Sequence, residues 1–309
     1  MHRSAWIIAL TASSAFATAQ IVPGRIYNGV GQPFPIRVLR PRGAHGELTM
    51  KLLEAVSAAP LATVKLPAWN TDLAQLFPDL WKKKIEHVLY AQLFASGQAV
   101  GPALVLQPLL NPALSKLKAD GKTVEFVPDE DHAYSGIRAW VDQDVVLDTS
   151  LGELEFRMRP DAAPNTAWNF LQLAKGGFYT NIIWHRVVAK RADGSPFVIQ
   201  AGDPTGTGDG GPGYNYPLED SPLPHDFGVI SMARSTDPNT NGSQFFVCLS
   251  REGTKHLDHR YASFGQLVRG KEVVLETAKV PVGKDDHPTT PPIIRRAYLV
   301  DGKPYQEIK

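Results

Sequence analysis

Cysteine is almost absent from this chain. Cys248 stands alone among 309 residues, so no disulfide can form within the chain, and burial and hydrogen bonding must hold the fold. It lies in Phe245-Phe246-Val247-Cys248-Leu249, a run that reads as a buried strand, where a lone thiol is a small, inert hydrophobe. An excess of one charge is also lacking. Lys and Arg number 32 against 31 Asp and Glu, a formal net charge of +1, which gives no electrostatic reason to expect nucleic-acid or anionic-membrane partners. Beyond the amino terminus no apolar run approaches the roughly 18–20 residues of a membrane span. There is no Gly-x-Ser-x-Gly elbow, no hydrolase triad pattern and no Gly-Lys-Ser/Thr of a P-loop. His256-Leu257-Asp258-His259 offers three possible metal ligands close together, but no second cluster completes a coordination sphere, so the segment reads as a surface loop. The chain is expected to work without metal or cofactor.

What is present is a soluble, globular composition, 43% hydrophobic and 20% charged, at a length that favours two domains. Met1-His2-Arg3 is a short basic start, Ser4 to Phe16 an apolar, alanine-rich run, and Ala17-Thr18-Ala19 a small-x-small cleavage pattern. Residues 1–19 therefore read as a signal peptide, with the mature chain starting near Gln20 and exported to a periplasmic or extracellular location.

Residues 20–136 read as a β-rich first domain with a connector. In Glu47-Leu48-Thr49-Met50-Lys51-Leu52 apolar residues alternate strictly, and Ala62 to Leu66 repeats the period. Glu86 to Phe94 and Val100 to Leu106 look like buried strands around a Ser96-Gly97-Gln98 hairpin signal, with prolines at the run ends, and a small sandwich is expected. Trp69, Phe77 and Trp81 there read as core packing ahead of the alternative, a binding face. Residues 111–136, rich in Lys, Asp, Gly and Pro, read as connector. Residues 137–309 form the second domain. It starts with two strands about a Ser150–Gly152 turn, then a helix opened by Pro164 and closed by Gly176-Gly177. A second short helix follows over Lys271 to Ala278 and a last strand over Ile293 to Val300.

The densest signal is Phe197-Val198-Ile199-Gln200-Ala201-Gly202-Asp203, followed by glycines at 206, 208, 210 and 211. The glycines match G-x-G-x-x-G after a strand, but Pro212-Gly213-Tyr214-Asn215-Tyr216-Pro217 cannot begin the helix a dinucleotide needs. The nucleotide reading fails, and the strand before the glycines becomes the informative part.

Taken with Trp184-His185-Arg186 upstream and with Ser231-Met232-Ala233, Asn241-Gly242-Ser243-Gln244-Phe245-Phe246 and Leu257-Asp258 downstream, this pattern resembles the cyclophilins, a family of peptidyl-prolyl cis-trans isomerases, over about residues 138–300. The resemblance implies a mainly β fold: a closed eight-stranded antiparallel barrel capped by two helices. It also implies cofactor-free isomerisation of X–Pro bonds in polypeptide substrates. Arg186, His185 and Gln200 fall on catalytic positions. Phe197, Val198, Ala233, Arg234, Gln244, Phe246, Leu257 and Tyr261 fall on substrate-binding ones. The chemistry suits these residue types, because a rotating imide needs an apolar floor for the proline ring, a fixed donor near its nitrogen and polar groups for the flanking backbone. Four positions depart from the family. Arg234 replaces an asparagine, Tyr261 a histidine and Val198 a methionine. His256 replaces a tryptophan associated with cyclosporin binding, which puts that binding in doubt. The alternative is a barrel that holds proline segments, or acts as a chaperone module, without turnover.

Overall fold

The computed structural model describes residues 20–39, 47–67, 69–129 and 133–306; the expected signal peptide lies outside them. The fold is mainly β, as expected, and every strand pair is antiparallel.

The N-terminal part holds two sheets. One runs Tyr27–Gly29, Gly136–Val141, Leu104–Pro108, Leu89–Ala95, Leu48–Glu54 and Pro60–Lys65, with Gln98–Ala99 beside Leu89–Ala95. The other has Gln20–Pro23, Pro35–Leu39 and Asn70–Asp72. Alternation supplies the core between them: Ile36 and Val38 from the small sheet, and Met50, Leu93 and Leu106 from the large one, join one buried cluster. Leu73–Leu76 and Asp79–Lys82 form single helical turns, the first capped by Asp72 Oδ1, which accepts from Ala74 N at 2.8 Å. Phe77 is buried and Trp81 stacks on Phe34, whereas Trp69 is exposed.

Residues 111–136 are more than a connector. Leu114–Leu117 and Val124–Val127 pair as a hairpin. Its turn is built on Asp120, whose carboxylate accepts from the amides of Lys122 and Thr123, both at 2.8 Å. Gly136–Val141 pairs with Leu104–Pro108, so the first sheet runs to Val141 and the second begins at Gln143.

The second sheet has the order Ile182–Ile183, Ile293–Asp301, Gln143–Thr149, Gly152–Met158, Ser263–Arg269, Val229–Met232, Phe245–Cys248, Val198–Ala201 and Arg186–Val188. Its two end strands are separated in the chain only by Trp184 and His185. Counted as one bent strand, they make eight around a sheet that curls back on itself. Helix Pro164–Lys175 turns Ala167, Phe170, Leu171 and Ala174 onto this sheet. Its N-terminal amides at Asn165 and Thr166 donate to Glu219 at 2.9 and 2.7 Å, a carboxylate where the helix dipole favours one. The second helix is Lys271–Thr277.

One continuous core joins the two parts, with Tyr90, Val105 and Trp140 packed with Val145, Leu147 and Leu154. Tyr305, after the last strand, stacks on Tyr90 with ring centroids 3.6 Å apart. Its amide donates to Gln92 Oε1 at 2.8 Å, and its hydroxyl accepts from Val56 N at 2.9 Å.

Asp142 lies buried where the two sheets meet. Burial pushes its carboxyl up to about 7; Arg157 opposes this, and Asp144 and Asp161 add to it. An acid raised in the folded state stabilises fully below its unfolded value near 4, and that contribution is lost as pH rises through 7. Asp142→Asn, a mimic of the protonated form, is expected to raise Tm relative to wild type at pH 8 and to leave it nearly unchanged at pH 4. Calorimetry at the two pH values checks this; equal gains at both would assign the effect to something other than ionisation.

Candidate active site

Register places the central residues. Across four neighbouring strands Arg186 lies opposite Gln200, Gln200 opposite Phe246, and Phe246 opposite Ser231. Opposite residues of an antiparallel ladder share a face, so these four side chains form one row. Alternation sends their neighbours Val187, Ile199, Phe245, Val247 and Ile230 into the main core. On the row's own face Val198, Phe246, Cys248 and Leu257 make a separate apolar cluster, with Phe197, Ala233 and Tyr261 packed against it. Burial pushes the Cys248 thiol far above its ordinary value, so it is packing material rather than a nucleophile.

A groove of about 600 Å³ opens over this cluster. It is lined by His185, Arg186, Phe197, Val198, Gln200, Ala233, Arg234, Phe246, Leu257 and Tyr261. Gln244 lines an adjoining groove of about 640 Å³, which shares Gln200, Ala233 and Arg234 with the first.

The polar wall is a relay of fixed amides. Gln244 Nε2 donates to the carbonyls of Gly208 and Gly210 at 2.7 and 2.9 Å, which turns its oxygen toward Gln200. Gln200 Nε2 donates to that oxygen at 3.0 Å, and this turns Gln200 Oε1 toward Arg186 Nη1, 3.5 Å away. Each amide thus has one orientation that satisfies its neighbours. Arg186 Nη2 lies 3.6 Å from Asp286 Oδ2, so the guanidinium is flanked by two acceptors. The His185 ring is buried beside it, and burial pushes its pKa down, leaving a neutral imidazole at pH 7.

The floor is braced from beneath. Phe246 stacks on His225, with centroids 6.0 Å apart, and meets Tyr261 edge to face at 5.6 Å. His225 is fully buried, and burial pushes its pKa down despite Asp258 beside it. The neutral ring donates from Nδ1 to Asp258 Oδ1 and accepts at Nε2 from Ser231 Oγ, both at 2.9 Å. Arg251 completes the set through Asp258 Oδ2, at 2.5 Å. On the rim, Arg234 spends its guanidinium on the carbonyl of Arg260, at 3.1 and 2.9 Å, and lies over the Tyr261 ring. His256 stacks on Phe197 at 5.8 Å.

Sequence reasoning missed the parts played by four residues. Asp258 and His225 are 33 residues apart, and only the fold joins them beneath Phe246. Asp286 reaches the site from a loop in which Asp285 and Asp286 both adopt left-handed backbone, φ 57° and 60°. Asp203 was visible in its motif, but its task was not. Its carboxylate accepts from the amides of Thr205 at 2.7 Å and Gly208 at 2.6 Å and from Thr205 Oγ1 at 2.8 Å, folding the glycine loop around itself. At Gly210 a Cβ would stand 2.0 Å from Asp203 Oδ1, so that position needs glycine for space. Among the described residues no group of three His, Cys, Asp or Glu side chains is placed to hold a metal.

Burial pushes the Asp203 carboxyl up, but hydrogen bonds from Thr205, Gly210 and Gly208 outweigh it and hold the group at about 2. An acid depressed in this way stabilises above its unfolded value near 4, and the contribution is lost as pH falls through 2. Asp203→Asn is expected to cost about 1.5–3 kcal/mol, the range for a hydrogen bond to a charged acceptor, in urea unfolding at pH 7. It should also flatten the acid limb of the stability profile. An unchanged acid limb would remove Asp203 from this role.

Comparison with known proteins agrees with this geometry. Residues 144–299 match the model of the family described as cyclophilin type peptidyl-prolyl cis-trans isomerase/CLD. Peptidyl-prolyl cis-trans isomerase-like 1 of Aspergillus fumigatus is 40% identical over 163 residues, covering 51% of this chain and 96% of that protein. Peptidyl-prolyl cis-trans isomerase CYP18-2 of Arabidopsis thaliana is 38% identical over 163 residues, covering 51% and 94%. A crystal structure of a Cryptosporidium parvum cyclophilin type isomerase, obtained in the presence of the dipeptide Ala-Pro, is 37% identical and covers 51% of this chain and 99% of that one, with a TM-score of 0.47. With half its length in the family match and its row of Arg186, Gln200 and Phe246 in one groove, the chain belongs to the cyclophilin-type peptidyl-prolyl cis-trans isomerases.

Proposed function

We propose that Arg186 is the group that lowers the barrier to X–Pro rotation, acting on polypeptides outside the cytoplasm. Amide resonance sets that barrier at about 18–20 kcal/mol. As the bond twists, the imide nitrogen becomes pyramidal and its lone pair localises, creating an acceptor absent from the planar ground state. A donor fixed near that nitrogen binds the twisted state better than either planar isomer, which is what acceleration requires. The observation that carries the reading is the Gln244–Gln200–Arg186 relay, which holds a permanently charged fork over the apolar floor of Phe246, Val198 and Leu257.

One charge-assisted hydrogen bond is worth about 1.5–3 kcal/mol, or one to two powers of ten in rate. The rest is assigned to holding the peptide rigidly in a water-poor groove. The floor takes the proline ring, Gln200 and Gln244 engage flanking backbone, and neutral His185 forms the wall beside Arg186. The Ala-Pro dipeptide used with the Cryptosporidium parvum protein is consistent with this substrate class. With His256 on Phe197 in place of a tryptophan, binding of cyclosporin is proposed to be weak.

In a proline-isomer-specific peptide assay, Arg186→Ala is expected to lower kcat/KM by one to two powers of ten or more. Arg186→Lys should also be impaired, since an ammonium cannot reproduce the planar fork. Inactive wild-type protein would leave only the holding role. The basic and apolar start of the chain supports export, and amino-terminal sequencing of secreted protein is expected to begin near Gln20. A mature chain that retains Met1 would overturn export by this route.

A further inference from the structure

We propose that Asn239 is a positioning residue, through which the hairpin of Leu114–Leu117 and Val124–Val127 sets the rim of the substrate groove. This rests on reading the groove of Arg186 as the peptide site. The N-terminal part of the chain then belongs to the isomerase machinery rather than standing beside it.

Three hydrogen bonds join Asn239 to Ser115. Its Oδ1 accepts from Ser115 N at 3.3 Å and Ser115 Oγ at 3.0 Å, and its Nδ2 donates to Ser115 O at 2.7 Å. The side-chain amide therefore reads both backbone groups of one strand residue, as a neighbouring strand would. Ser115 is buried, and Phe126, directly across the hairpin, packs on the core that joins the two parts. The hairpin is thus anchored and cannot simply follow the loop.

The loop that carries Asn239 runs between groove residues. Ala233 and Arg234 precede it, and Gln244, the middle of the polar relay, follows. Within the loop Ser235 N donates to Thr240 Oγ1 at 2.9 Å, and both residues line the adjoining groove. Asn239 N and Nδ2 both donate to Asp237 Oδ1, at 2.8 and 3.2 Å, so the turn is stiff enough to pass on a displacement of Asn239. The far end is pinned as well, because Asn169 of helix Pro164–Lys175 donates to Gly242 O at 2.8 Å. Asn165 on the same helix accepts from Gln107 of the first sheet at 2.9 Å. Both ends of the rim are therefore held by elements fastened to the N-terminal sheets.

The test uses the mature full-length chain, with peptide and unfolded-protein substrates. Asn239→Ala removes the three bonds to Ser115 and the one from Nδ2 to Asp237, and is expected to raise KM about three- to tenfold while kcat stays within twofold. Asn239→Asp keeps the two acceptor bonds but sets a carboxylate oxygen against Ser115 O and Asp237 Oδ1, and should raise KM at least as much as Asn239→Ala. Lys116→Ala, an exposed side chain of the same strand, is the control and should match wild type. A lower Tm without the KM change would make Asn239 merely structural and overturn the proposal, as would an unchanged KM with an active wild type. Failure of the groove reading looks different: Arg186→Ala would then retain wild-type kcat/KM.

Discussion

Alternation along Val198–Ala201 and Phe245–Cys248 is the constraint on which the rest depends. Each strand is four residues long and must satisfy two surfaces at once. Ile199, Phe245 and Val247 fill the barrel, while Gln200 and Phe246 face the groove and Cys248 packs in the apolar cluster beneath it. A slip of one residue would exchange the two sets, placing Gln200 in the core and Ile199 beside Arg186. The volume of Phe245, packed against Phe170, Tyr179 and Trp184, resists that slip more strongly than any hydrogen bond in the groove could. Core packing therefore holds the chemistry in register.

Much of this was legible in the sequence, for reasons that can be traced to particular residues. Strands whose apolar residues alternate, such as Leu48–Glu54 and Gly152–Met158, were read because one face is buried. The groove residues were legible through their order, since joint spacing carries what no single Phe or Gln can. The hairpin of Leu114–Leu117 and Val124–Val127 was hidden because its strands are four residues long and rich in Lys, Glu and Ser. Its stability comes from Asp120 in the turn and from distant partners. The helical turn Leu73–Leu76 escaped for a similar reason, being too short to show a period. Pairings such as His225 with Asp258 and Arg186 with Asp286 are long-range, and no local pattern announces them.

The junction between the two sheets behaves as an interior rather than as a linker. Trp140 meets Trp168 across it with centroids 5.0 Å apart, and Tyr305 returns from the last strand to stack on Tyr90. A tail that begins in one sheet and packs on the other closes a loop of contacts. The N-terminal part keeps a core of its own between its two sheets, but the shared cluster couples it to the second sheet, and unfolding is expected to be shared.

Arg186 occupies an unusual place in the ring. Its strand, Arg186–Val188, is three residues long and is laddered on one side only, to Val198–Ala201; at the other end of the sheet, Ile182–Ile183 is likewise laddered once, to Ile293–Asp301. Between them Trp184 is buried against Phe245 like a rivet. The barrel resembles a split ring whose ends are joined by two residues of covalent chain, and the guanidinium is mounted at the split. The seam lies on the far side of the Arg186 strand from the floor, so a change of curvature there leaves the row of Arg186, Gln200 and Phe246, held by its own ladders, in place.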